Sequence, residues 1–82
     1  MRIRVLLFAL YRDLAGGRSE LQLDVRDGSD AGAAIAELRA QSERFALLPE
    51  RPVVAVNREY AGLDAVLRDG DELALLPPVA GG

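Results

Sequence analysis

No cysteine, histidine, lysine or tryptophan occurs in this 82-residue chain. Without cysteine there is no disulfide, no thiolate metal ligand and no thiol nucleophile. Without histidine the commonest metal ligand and general base are missing as well. The composition therefore disfavours self-contained catalysis and a metal centre, and no cofactor is expected to be bound by the chain itself. All ten cationic side chains are arginines, scattered from Arg2 to Arg68 in a chain of net charge −3. Aromatics make up only 5% of residues. With neither a basic stripe nor a run of stacking rings, no nucleic-acid partner is expected. No apolar run is long enough to cross a bilayer, and Met1 opens directly into a strand pattern with no leader ahead of it, so no membrane partner and a cytoplasmic location are expected.

What remains is a chain half of whose residues are apolar, with charges of both signs interspersed. That composition suits one small folded domain, which at this length buries about 60–65% of its unfolded surface. Arg2 to Ala9 alternates and then turns continuously apolar, as in a strand that begins at an edge of the core and ends with both faces covered. Leu10 to Ala15 is a short helical turn stopped by Gly16-Gly17, and Leu21, Leu23 and Val25 alternate with polar residues in a half-exposed strand. Ala31, Ala34, Ile35 and Leu38 follow the possible caps Ser29 and Asp30 at helical spacing, giving one amphipathic helix over roughly 30–42. Pro49 and Pro52 bracket a loop, Val53 to Asn57 is a third strand, Gly62 to Leu67 adds a short strand or turn, and Leu73 to Leu76 is the last strand, entered through Arg68-Asp69-Gly70-Asp71. One helix on one face of a mixed sheet of four or five strands is an α+β, β-grasp arrangement, with the first and last strands parallel at its centre.

The division expected is a β-grasp domain over 1–76 and a C-terminal tail over 77–82, PPVAGG. Pro77-Pro78 cannot continue a sheet ladder and is stiff and extended, so it carries the end of the chain away from the domain. Six residues reach about 20 Å at ~3.3–3.6 Å each. Gly81 and Gly82 have no side chains, so a narrow channel in another protein can close around their backbone. The competing reading is a chance or frayed ending, since two terminal glycines arise about once in 100–200 random chains. A terminal carboxylate is a poor electrophile until activated; as a mixed anhydride with an adenylyl group it could pass its acyl carbon to a sulfur or amine nucleophile.

LRDGDELALLPPVAGG, residues 67–82, together with RIRVLLFALYRDLAG, residues 2–16, resembles the small sulfur-carrier subunits of molybdopterin synthase. These are ubiquitin-like β-grasp proteins related to the thiamine sulfur carrier. VAVNREY, residues 54–60, fits the same family. The DGDE turn, the short strand and PPVAGG taken together are the most specific part, and the likeness covers nearly the whole chain.

The resemblance implies a cycle. An ATP-dependent, E1-like activating enzyme, using ATP-Mg, adenylates Gly82; a sulfur donor converts it to a thiocarboxylate; the tail then inserts into the large subunit, where sulfur passes to cyclic pyranopterin monophosphate. It implies a monomer when free and a heterotetramer with the large subunit. Gly82 would be the acceptor, Gly81 the slim neighbour, and Pro77, Pro78, Val79 and Ala80 the residues that position them. Phe8 and Leu76 are the candidates for an apolar docking patch, with core packing as the competing reading for each. Arg39 and Arg68 are candidates for its rim, against a solvated face. Other destinations remain open: a carrier for thiamine or tRNA thiolation, or a ubiquitin-like modifier or interaction module. Lacking lysine, the chain is expected to form no isopeptide chains on itself.

Overall fold

The computed structural model describes residues 1–78. Its elements run β1 (Arg2–Leu7), α1 (Ala9–Leu14), β2 (Glu20–Asp24), α2 (Ala31–Arg39), a 3₁₀ turn (Phe45–Leu47), β3 (Val53–Val56), β4 (Glu59–Ala61) and β5 (Glu72–Leu76). The five strands form one sheet in the order β2-β1-β5-β3-β4. β1 and β5 are parallel neighbours and all other pairings are antiparallel. This is the β-grasp arrangement that the sequence pattern indicates.

The strands bury one face because their apolar residues alternate. Ile3, Val5 and Leu7 of β1, Leu21 and Leu23 of β2, Val54 of β3, and Leu73 and Leu75 of β5 form a single core with Ala31, Ala34, Ile35 and Leu38 of α2. Asp30 caps α2, its carboxylate accepting from the Ala33 N–H at 2.8 Å. Removing such a cap costs about 1 kcal/mol. α2 ends at Arg39, three residues short of the expected 42, and Arg39 ties the following loop back to the helix end. Its guanidinium donates to the carbonyls of Leu48 at 2.8 Å and Ala46 at 3.1 Å. Those bonds hold down the 3₁₀ turn, which the sequence pattern did not reveal.

Two other expectations, the bounds of β1 and of β5, are corrected. β1 stops at Leu7, not Ala9, and keeps alternating to its end: Leu6 is only half-buried, so its second face is not covered by protein. Residues 62–67 are the turn among their two expected forms, the Ala65 N–H donating to the Gly62 carbonyl at 3.1 Å, and they run back to the start of α2, where Ala31 and Gly32 donate to the carbonyls of Ala65 and Leu63; the short strand of this region, Glu59–Ala61, lies just before them. β5 begins at Glu72, one residue earlier than expected. The turn before it is as expected, with Gly70 at φ 84° and the Asp71 N–H donating to the Arg68 carbonyl at 3.0 Å. Among the described residues, no helix is long and apolar enough to cross a membrane.

Candidate functional site

α2 covers one face of the sheet and leaves the other open. Leu7 of β1 and Leu75 of β5 are register partners and both are fully buried on the α2 side. The next residue along each strand therefore points the opposite way. Phe8 continues β1 in extended conformation (φ −123°, ψ 151°) and is 44% exposed; Leu76, at the end of β5, is half-buried. The two expected docking residues thus lie at the same end of the open face, and for Phe8 the core-packing reading is excluded. Immediately after Phe8, Ala9 takes a left-handed φ of 48°, which turns the chain off the sheet into α1.

The register extends this patch to residues that sequence reasoning missed. Leu76 pairs with Val53, which is 57% exposed. Leu6, Ala74, Ala55 and Tyr60 are successive cross-strand partners through β1, β5, β3 and β4, and Tyr60 is 82% exposed. The small Ala74 and Ala55 sit low between the larger side chains. A signal was present in the sequence: Asn57-Arg58 separates VAV from EYA by two residues, the length of a tight hairpin, but without the usual glycine. Both residues take positive φ, 51° and 71°.

Farther from the tail, the same face is charged. Glu20, Arg4, Glu72 and Arg58 alternate in sign across it, with Arg4 bonded to Glu20 at 3.0 Å and to Glu72 at 2.7 Å, and Arg58 3.9 Å from Glu72. Glu72 is the one charged residue buried among those described, and Arg4 supplies its close counter-charge. The exposed members of such a set add little stability, but removing Arg4 would strand a largely desolvated carboxylate.

The start of β5 is fixed as firmly as its flanks. Asp71 accepts from Asn57 Nδ2 at 3.0 Å and from the Arg68 N–H at 2.8 Å, and these two bonds hold its carboxyl below the usual carboxylate range. Asn57 Oδ1 in turn accepts from the Glu72 N–H at 3.0 Å, while Gly70 donates to the Arg2 carbonyl and Arg4 to the Asp71 carbonyl. β5 is therefore clamped by β1 and β3 on either side and by this turn at its entry. Residues 77–78 leave from the end of this central strand. Pro77 is half-buried and Pro78 exposed, directly beyond β5. Val79, Ala80, Gly81 and Gly82 lie outside the described residues. Of the two expected rim arginines, Arg39 is committed to its own loop and Arg68 is exposed at the turn before β5. Among the described residues no cluster of three or more acidic side chains is placed to hold a metal ion.

Residues 5–82 match the sequence model of the ThiS family. The chain belongs to the ThiS family. Among curated proteins, the molybdopterin synthase sulfur carrier subunit of Mycobacterium tuberculosis is 34% identical over 82 residues, with 100% of this chain and 99% of that protein covered. The protein of the same name from Escherichia coli K12 is 39% identical, with 98% and 99% covered. Among solved structures, SAMP1 from Haloferax volcanii superposes with a TM-score of 0.84 at 30% identity over the whole of both chains. Another crystal structure from that organism is named small archaeal modifier protein 1. The complex of subunits 1 and 2 of molybdopterin-converting factor from Helicobacter pylori contains a chain that matches with a TM-score of 0.69 at 25% identity, again over the whole of both chains. This ThiS-family chain spans essentially the full length of these four relatives.

Proposed function

We propose that this ThiS-family chain is the sulfur carrier subunit of a molybdopterin synthase. The observation that carries the reading is the position of the tail's root: PPVAGG follows directly on β5, the clamped central strand, beside an open apolar face bearing Phe8, Leu76, Val53 and Tyr60. A rigid root and an adjoining adhesive face are what a partner needs to thread a slim chain end into its own active site. The carrier names of the full-length relatives support the same reading.

The domain over 1–76 docks, and the tail over 77–82 reaches. An E1-like activating enzyme, using ATP-Mg, joins the Gly82 carboxylate to AMP and releases pyrophosphate. A sulfur donor displaces AMP, leaving a thiocarboxylate on Gly82. The open face then seats on the large subunit, with Gly81, Ala80, Val79, Pro78 and Pro77 in its channel, and the sulfur passes to cyclic pyranopterin monophosphate as the Gly82 acyl carbon takes an oxygen from water and returns to the carboxylate; two such deliveries supply the two sulfurs of a dithiolene. In this account the chain is a cytoplasmic monomer when free and part of a heterotetramer with the large subunit. The pairing of subunits 1 and 2 in the Helicobacter pylori complex supports that partner.

The test is reconstitution. Thiocarboxylated chain mixed with purified large subunit and cyclic pyranopterin monophosphate is expected to give a dithiolene product, and the chain with Gly82 removed to give none. Transfer only to a thiamine or tRNA acceptor would redirect the reading within carrier chemistry. A second reading, a protein modifier, draws support from the close superposition on SAMP1. It requires amide-linked products in place of a thiocarboxylate.

A further inference from the structure

Among the described residues, three that are not glycine hold a positive φ: Ala9 at 48°, Asn57 at 51° and Arg58 at 71°. A side chain makes that backbone costly, and the chain places glycine at its other positive-φ positions, 16, 17, 28 and 70. A different residue kept there points to a use for its side chain. Ala9 brings only a methyl group. Asn57 has its use inside the molecule: asparagine tolerates this conformation, and its amide bonds Asp71 and the Glu72 N–H, each at 3.0 Å. Arg58 has no comparable use. Its side chain is 87% exposed, and its one charged contact among the described residues is Glu72 at 3.9 Å, a carboxylate that Arg4 already holds at 2.7 Å.

The register shows where this loosely held guanidinium lies. Val53 and Leu76 pair in the row of the open face nearest Pro77, and Tyr60, Ala55, Ala74 and Leu6 form the next row. Arg4 and Glu72, paired across β1 and β5, belong to the third, which Arg58 joins from the turn between β3 and β4. Successive rows on one face are two residues apart, about 7 Å. A partner that covers Phe8, Leu76 and Tyr60 therefore extends to within reach of Arg58.

We propose that Arg58 is a specificity residue of the open face, its guanidinium pairing with a carboxylate of the large subunit, and that the strained turn is kept for this contact. The partner's identity rests on the carrier reading. A planar, permanently charged fork suits a carboxylate, and an ion pair beyond the apolar rows fixes the angle at which the sheet lies on its partner. A partner with a cationic side chain at that point is repelled, so the same residue discriminates among proteins able to accept a slim chain end.

The test measures affinity for purified large subunit by calorimetry, at low and at moderate salt, for the native chain, Arg58→Gly, Arg58→Gln and Arg26→Ala, with urea unfolding of each. Arg58→Gln keeps a side chain on the strained backbone and removes the charge, which separates the guanidinium from the shape of the turn. Arg26→Ala removes an exposed arginine that lies beside Ala33 and Glu37 of α2. Both Arg58 variants are expected to bind about tenfold more weakly and with a shallower salt dependence, Arg58→Gly being the more stable protein, while Arg26→Ala binds as the native chain does. Native affinity in either Arg58 variant would overturn the proposal, as would an equal loss in Arg26→Ala. A loss of stability in Arg58→Gly would also overturn it, by giving the side chain its use within the fold. A native chain that does not bind the large subunit would overturn the carrier reading and this proposal together, whereas native binding with unchanged variants overturns this proposal alone.

Discussion

Arg58 holds φ 71° in the two-residue turn between β3 and β4, a region in which a side chain is strained and glycine is not. Its 3.9 Å approach to Glu72 is long and exposed, and offsets little of that strain. Arg58→Gly is therefore expected to stabilise the protein by about 0.5–1 kcal/mol in urea unfolding; a loss of stability would show that the guanidinium matters more than the turn. Asp71 gives a pH prediction of definite sign. Its carboxyl is held low in the folded chain by the donors Asn57 Nδ2 and the Arg68 N–H, while in the unfolded chain it titrates near ~3.9. Its stabilising contribution is complete above that ordinary value and is lost as pH falls through the lower, folded one. Asp71→Asn should lower Tm at neutral pH and flatten the fall in Tm below about pH 4. Parallel acid slopes for the two proteins would contradict the assignment.

At the scale of the element, α2 was the most legible part of the chain. Ala31, Ala34, Ile35 and Leu38 repeat at helical spacing behind Asp30, and all four are buried. Leu38, 1% exposed, should cost about 2–5 kcal/mol on substitution by alanine, with little change in the slope of the denaturation curve. A near-zero effect would mean the stripe does not face the core. Less legible were the elements whose identity is decided by long-range pairing. β4 has three residues, EYA, too few to show alternation, and it exists because Val54, Ala55 and Val56 present an edge for it to pair with. The 3₁₀ turn is held by Arg39, nine residues before Leu48, and no local pattern encodes that reach. β1 was misread at its end because LLFA is continuously apolar. Leu7 is core, while Leu6 and Phe8 belong to the opposite, open face, and only the register separates them.

For the whole molecule, the exposed apolar face proposed for docking is a property of the assembled sheet. Phe8 and Leu76 could be singled out from the sequence, but Val53 and Tyr60 join them only through the order β1-β5-β3-β4. Because Phe8 and Tyr60 are well exposed, truncating either to alanine should leave folding nearly intact while weakening large-subunit binding by about 1–2 kcal/mol each. Unchanged affinity in both variants, measured by calorimetry, would place the interface elsewhere. Removing Gly82 should leave Tm nearly unchanged, since a chain end beyond the last strand adds little to the core. The central claim, that the carboxyl end of this fold carries sulfur, is tested most directly by intact mass after incubation with ATP, an activating enzyme and a sulfur donor. The account predicts exchange of one oxygen for sulfur, located at Gly82 by fragmentation and absent from the chain lacking that residue. An unmodified end, or an end joined by an amide to another protein, would contradict it.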